Sequence, residues 1–148
     1  PIADLVPPGQ CQFGDSLTSV PLLERTKVSP TTSDLRFGLP DTAQPLKLST
    51  CACILANAEI EGEAVTRPYT PISTNAQVGS FDLLVKDYGA EHGTMSHFLC
   101  ETMSVGDSVN FKHIPFNVKQ QAPFEYDHVG MLVGGTGTCL SKKILYGF

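Results

Sequence analysis

Between Val20 and Tyr88 the chain consists of short β-rich runs, each broken within a few residues by proline, glycine, asparagine or aspartate. The runs are Leu22–Val28, Leu35–Leu39, Thr50–Ala56, Val65–Tyr69 and Ser80–Asp87. The breakers are Ser29-Pro30, Pro40-Asp41, Asn57, Glu61-Gly62-Glu63 and Thr74-Asn75. Runs rich in branched and aromatic residues, bounded by turn formers, read as strands. No long helical period separates them, so a βαβ sheet is excluded here, and a small barrel or sandwich is expected.

Outside that region the pattern changes. Residues Pro1–Ser19 hold three prolines and two glycines with little periodicity, and read as an irregular arm. Met95, Phe98, Leu99 and Met103 fall at helical spacing, with Ser or Thr just ahead as a cap signal, which predicts one short helix ending by Gly106-Asp107. Ser108–Ile114 alternates Val109 and Phe111 against Asn110 and Lys112, a further strand, and Asn117–Pro123 reads as loop. Val129–Val133 is an almost wholly apolar run followed by Gly134-Gly135-Thr136-Gly137 and a weakly helical Leu140–Leu145. Buried strand, glycine turn and helix form the opening of a nucleotide-binding α/β unit.

With 148 residues and 41% apolar content, one ordinary domain, or one domain plus a fragment, has enough material for a core. The net charge of −5 argues against a nucleic-acid binder, which would show a basic footprint. No apolar run approaches the ~20 residues of a membrane span. The chain opens with Pro1, so the natural N-terminus is expected to be missing, and any targeting segment or anchor with it. Five cysteines, an odd number without regular spacing, argue against a disulfide framework. Cys51 and Cys53 would share one face of a strand, as small buried residues rather than half a metal site. His92, His97, His113 and His128 show no metal-ligand spacing, so no metal site is expected.

Three stretches suit a phosphorylated planar ligand. In Arg67-Pro68-Tyr69-Thr70-Pro71-Ile72-Ser73 the prolines favour extended backbone, so Arg67 and Tyr69, two apart, point the same way. A guanidinium fits a phosphate and a tyrosine face fits a flat heterocycle. The same seven residues fit an edge strand with a surface arginine equally well. Gly93–Ser96 opens the predicted helix, where free N–H groups and the helix dipole attract an anion; a plain helix cap is the competing interpretation. Gly134–Gly137 is not a P-loop and meets the dinucleotide fingerprint only in part, because Leu140 stands where its third glycine would. No paired carboxylates, Ser-His-Asp set or Cys-His pair is evident, so any catalysis would rest on a bound cofactor.

The order of these stretches, Arg-x-Tyr-Thr-x-x-Ser, then Gly-x-Met-Ser, then Gly-Gly-Thr-Gly, resembles the ferredoxin-reductase-like flavoenzymes, and among them the NADH–cytochrome b5 reductases. Phe81–Tyr88, Gly93–Leu99 and Val105-Gly106-Asp107 fit the same family, and Phe111–Lys119 is similar to its mitochondrial type in plants and protists. The resemblance runs from about Leu22 to Val133. It implies an all-β fold with one short helix: a Greek-key barrel of six antiparallel strands that binds FAD, followed by a separate NADH-binding α/β domain. The implied layout is an arm over 1–19, the FAD domain over 20–126, and over 127–148 the first strand, turn and helix of a truncated NADH domain. It further implies that Arg67, beside Pro68, holds the FAD pyrophosphate. Tyr69 would lie along the isoalloxazine and Thr70 would bond near its reactive nitrogen, these two being the catalytic pair. Leu84, Lys86 and Tyr88 would line the cofactor, Thr94, Met95 and Ser96 would close on the pyrophosphate, and Gly134, Gly135, Thr136 and Gly137 would face the nicotinamide nucleotide.

After the glycine turn the family usually continues Ile-Thr-Pro, whereas this chain reads Thr138-Cys139-Leu140. Cys139 thus stands where a threonine would touch the flavin side, and Leu140 where a proline would start the helix. By resemblance the chain is part of an FAD oxidoreductase taking electrons from NADH and passing them to cytochrome b5 or a similar acceptor, in a mitochondrial or endoplasmic-reticulum membrane setting, the chain itself being soluble. The competing expectation is a flavin-binding or interaction module without NADH turnover, because most of the nicotinamide site would be missing.

Overall fold

The computed structural model describes residues 11–49, 52–114, 127–128, 130–135 and 137. Six strands, β1 (Thr18–Ser29), β2 (Thr32–Gly38), β3 (Ile54–Ile60), β4 (Glu63–Tyr69), β5 (Ser80–Lys86) and β6 (Ser108–His113), form one curled sheet in the order β4-β3-β6-β1-β2-β5. All neighbouring strands run antiparallel. A short helix α1 (Thr94–His97) continues into one wider π-helical turn, Phe98–Thr102. This is the expected all-β architecture with one short helix.

The curl originates in β1. Its first residues, Thr18–Pro21, pair with β6, and from Leu22 onward it pairs with β2. The register shifts between Leu22 and Glu24, a bulge that bends the strand and sharpens its twist. Pro21 has no N–H to donate at this corner. Leu22 compensates by bonding outside the ladder, its N–H to Asp107 C=O and its C=O to Gly106 N–H, both at 2.8 Å.

The strand boundaries differ from expectation where side chains satisfy what sequence alone treats as a break. Asn57 does not end β3, because its Nδ2 donates to Thr66 Oγ1 across the β3–β4 pair at 2.9 Å. The strand runs on to Ile60 and turns through Glu61 and Gly62, both at positive φ (53° and 82°), the backbone of a tight hairpin. Cys53 lies before β3 and is half-buried, and Cys51, its expected partner on a strand face, lies outside the described residues.

Phe13, Phe37, Phe81 and Phe111 meet in the centre, with ring centroids between 5.1 Å for Phe37–Phe111 and 5.7 Å for Phe13–Phe111. Phe13 belongs to the stretch expected to be an irregular arm. Residues 11–17 are indeed without regular structure, but they are fastened to the barrel. The Gln12 amide donates to Asp41, Gln44 and Pro45 carbonyls, and His113 N–H donates to Gly14 C=O. Each fully buried phenylalanine is worth about 2–3 kcal/mol of apolar transfer.

The apolar run after Asp127 is a correction. The described residues 130–133 form no strand, and Leu132 is fully exposed. A parallel strand needs a neighbour for its N–H and C=O groups, and among the described residues none pairs with this segment. The expected loop over 117–123 and helix over 140–145 lie outside the described residues.

Candidate functional site

The chain leaving the edge strand β4 meets the other edge, β5, through Ile72 and Ser73, while the end of β4 itself stands apart from β5. Where they meet, Ile72 N–H donates to Asp82 C=O at 2.8 Å and Asp82 N–H donates to Ser73 Oγ at 3.0 Å. The Asp82 carboxylate is held in turn by a two-pronged bond from Arg36 (2.8 and 3.2 Å) and by the Gln77 amide at 3.1 Å. Where the edges part, they leave a cleft of about 710 Å³, capped by the start of α1.

That cleft gathers residues from the separate stretches singled out in the sequence. Arg67, Pro68, Tyr69 and Thr70 come from the end of β4; Leu84, Lys86 and Tyr88 from β5 and the residues after it; Thr94, Met95 and Ser96 from the helix start. Gly137 reaches the lining too. Gly134 and Gly135 are described but do not line it, and Thr136 and Cys139 lie outside the described residues. Ile72, Val85, Glu91 and His92 also line the cleft without having been anticipated. Ile72 sits inside the Arg67–Ser73 stretch and was open to the same argument; Glu91 and His92 occupy an irregular loop whose course no periodicity reveals.

The electrostatics suit an anion beside a ring. Arg67 is exposed; its Nη1 donates to the adjacent Thr66 carbonyl at 2.8 Å, and among the described residues no carboxylate forms an ion pair with it. Lys86 Nζ stands 5.4 Å from the centre of the Tyr88 ring. Tyr69 is half-buried, and burial pushes its phenol well above the ordinary tyrosine value, with the Cys100 thiol adding to the shift and Arg67 opposing it. The hydroxyl therefore stays protonated, a donor and a flat apolar face together.

The helix start differs in detail from the predicted cap. Gly93 is the cap residue, no side chain caps the helix, and Ser96 Oγ donates to Gly93 C=O at 2.9 Å. His97 N–H bonds Gly93 C=O at 2.7 Å, so the helix offers no carbonyl to the N–H groups of Thr94, Met95 and Ser96 ahead of it. A Cβ on Gly93 would stand 2.4 Å from Ser96 Oγ and 2.8 Å from Tyr88 Cβ. The helix start thus presents bare backbone where any side chain would crowd the cleft wall, which fits close approach of a phosphorylated cofactor. Among the described residues no cluster of three or more His, Cys, Asp or Glu could hold a metal ion.

The family model described as an oxidoreductase FAD-binding domain matches residues 19–115. The chain belongs to that family. FAD is accordingly the cofactor of this domain. The chain is 37% identical over 131 residues to NADH-cytochrome b5 reductase 1 of Meyerozyma guilliermondii, covering 88% of this chain and 45% of that protein. It is 39% identical to NADH-cytochrome b5 reductase 1 of Scheffersomyces stipitis over the same shares, 88% and 45%. Among solved structures, the cytochrome b5 reductase domain of Ulva prolifera nitrate reductase superposes with a TM-score of 0.62 at 32% identity, covering 70% of this chain and 42% of that one. The chain thus spans less than half the length of the curated relatives it matches.

Proposed function

We propose that this chain is the flavin-holding part of an NADH-dependent oxidoreductase that delivers electrons to cytochrome b5 or a similar one-electron acceptor. The observation that carries the proposal is the single cleft uniting Arg67–Thr70, Leu84–Lys86 and Thr94–Ser96. Bound FAD supplies the chemistry, accepting two electrons as hydride and releasing them singly. The chain's own residues bind and orient. Arg67 offers a two-pronged donor to a phosphate, and the N–H groups of Thr94–Ser96 share that charge. Tyr69 gives a flat face, and Thr70 a hydroxyl for a ring heteroatom. Lys86 and Leu84 bound the cleft from β5. We assign domain limits of 20–126 for the flavin part, with 1–19 as arm and 127–148 belonging to the NADH-binding region.

The described residues 130–135 form no strand, and among the described residues of the glycine turn only Gly137 reaches the cleft, which favours a second role, flavin binding without NADH turnover. The test is the visible spectrum of the purified full chain titrated with FAD, followed by NADH under anaerobic conditions. Uptake of FAD with prompt bleaching supports the oxidoreductase. Uptake with no bleaching by NADH but full bleaching by dithionite supports the binding module. A chain that takes up no FAD overturns both.

The similarity to the mitochondrial b5 reductases in Phe111–Lys119 supports a mitochondrial or endoplasmic-reticulum membrane setting, which fractionation of the tagged full gene product would test. Among the described residues no helix is long and apolar enough to cross a membrane.

A further inference from the structure

We propose that Asp87 and His97 are positioning residues of the cleft: they clasp the loop between them and so hold Tyr88, His92 and Gly93 in the geometry that receives the cofactor. This rests on the assignment of the cleft to FAD. Neither residue lines the cleft, whereas Tyr88, Glu91, His92 and Gly93, all between them in sequence, do.

The clasp is anchored at both ends. Asp87 N–H donates to Thr31 C=O at 2.8 Å, fixing it beside the β1–β2 turn. Its carboxylate accepts Gly89 N–H at 2.8 Å and faces His97 Nδ1 at 3.2 Å from both oxygens. A carboxylate only accepts, so the Nδ1 of His97 carries the proton in this pair. Gly89 C=O in turn accepts the N–H of Gly93 at 2.9 Å and of His92 at 3.3 Å. Gly93 C=O accepts Ser96 Oγ at 2.9 Å and His97 N–H at 2.7 Å. An unbroken series of bonds therefore runs from the sheet through Asp87 and Gly89 to the bare backbone at Gly93, and returns through His97.

The pair is peripheral to the core. The side chains of His97 and Asp87 keep 34% and 15% of their surface in solvent, so removing either leaves the phenylalanine centre of the barrel intact. What is lost is the shared position of the loop and the helix start. A cofactor would then have to order the loop on binding, which weakens association without removing a direct contact.

The test uses the full chain without flavin, titrated with FAD and followed by quenching of flavin fluorescence, alongside the thermal midpoint of each flavin-free protein. Asp87→Ala and His97→Ala should each weaken FAD binding roughly tenfold, the scale of one charge-assisted hydrogen bond. The double variant should be no weaker than Asp87→Ala alone, because loss of the carboxylate already leaves His97 without its partner. His97→Asn, whose Nδ2 lies where Nδ1 does in histidine, should restore most of the affinity. Unchanged affinity in both alanine variants, with normal wild-type uptake, overturns the clasp alone. So does weakening matched by lower thermal midpoints and not rescued by His97→Asn, which marks a merely structural pair. A wild-type chain that takes up no FAD brings down the cofactor assignment and the clasp with it.

Discussion

Gly93 and Ser96 divide a space too small for one more carbon: a Cβ on Gly93 would lie 2.4 Å from Ser96 Oγ, while that hydroxyl bonds back to Gly93 C=O at 2.9 Å. Gly93 does not owe its place to backbone strain, since its φ is −142°. It is needed for room. Gly93→Ala should cost about 1–3 kcal/mol by overpacking against Ser96 and Tyr88, and should lower FAD affinity because the helix start is displaced. Adding Ser96→Ala should recover part of the stability and not all, as the Tyr88 contact at 2.8 Å remains. Urea unfolding and FAD titration of both variants check this. A Gly93→Ala protein as stable and as tight-binding as wild type would contradict it.

Ser73 closes the barrel where Arg67 leaves it open. Its hydroxyl accepts Asp82 N–H at 3.0 Å, next to the Ile72–Asp82 backbone bond, and Asp82 is buried with Arg36 on its carboxylate. Ser73→Ala removes one hydrogen bond and should cost about 1 kcal/mol. Asp82→Ala should cost more, about 2–3 kcal/mol, because Arg36 and Gln77 lose their partner together. Both should loosen the stretch that carries Tyr69. The check is amide hydrogen exchange at Ile72 in flavin-free protein: faster exchange in both variants is expected, and wild-type protection in Asp82→Ala would refute the closure.

The pattern of strands such as β2, β3 and β6 was legible because their alternation has a local cause, one face being buried in the core. Two of the cleft stretches were legible for a similar reason: Arg67 with Tyr69, and Gly93 with Ser96, carry their chemistry within a few residues. What escaped was set by distant contacts. Phe13 sits in a stretch without periodicity, and only the rings of Phe81 and Phe111 make it core. Asn57 resembles a break until Thr66 stands across from it. The Val129–Val133 run looks like a buried strand because hydropathy records apolar content and not whether a neighbouring strand exists to receive it.

Stability should fall in alkali, and Cys11 should carry part of the fall. Burial raises its thiol from the usual 9.0 to about 11, against the pull of the Phe13 and Gln12 backbone. A folded-state value above the unfolded one means that the contribution is complete below pH 9.0 and is lost as pH rises toward about 11. Tyr69 acts in the same direction at higher pH. Cys11→Ala should therefore flatten the decline in unfolding free energy between about pH 9 and 10.5, measured in urea with reductant present. An unchanged slope would show that Cys11 is not the group titrating.

In acid the relevant group is Asp87. Burial works to raise its carboxyl, but Gly89 N–H, the His97 ring and Lys27 outweigh burial and leave it below the usual value. The sign is opposite to that of Cys11: the contribution is present above the unfolded value of about 4 and is lost as pH falls through the lower folded one. Asp87→Asn should make the urea midpoint less sensitive to pH in the acid range. A variant that follows the wild-type curve below about pH 4 would exclude Asp87 from the acid response.

The arm before β1 should prove indispensable to the barrel. Phe13 is 1% exposed and stacks on Phe111 at 5.7 Å while meeting Phe81 edge-on, so it fills the centre from outside the sheet. Phe13→Ala should cost about 3–5 kcal/mol, the range for deleting a buried phenylalanine that leaves a cavity. That is a large share of the ~5–15 kcal/mol by which domains are stable. Phe13→Leu keeps most of the volume and should lose less than half as much. Gln12→Ala should act on the same element from the surface, releasing its carbonyl contacts to Asp41, Gln44 and Pro45. Equilibrium unfolding of the three variants measures the ranking. If Phe13→Ala were no less stable than Phe13→Leu, the ring would not be part of the core and the arm would be dispensable.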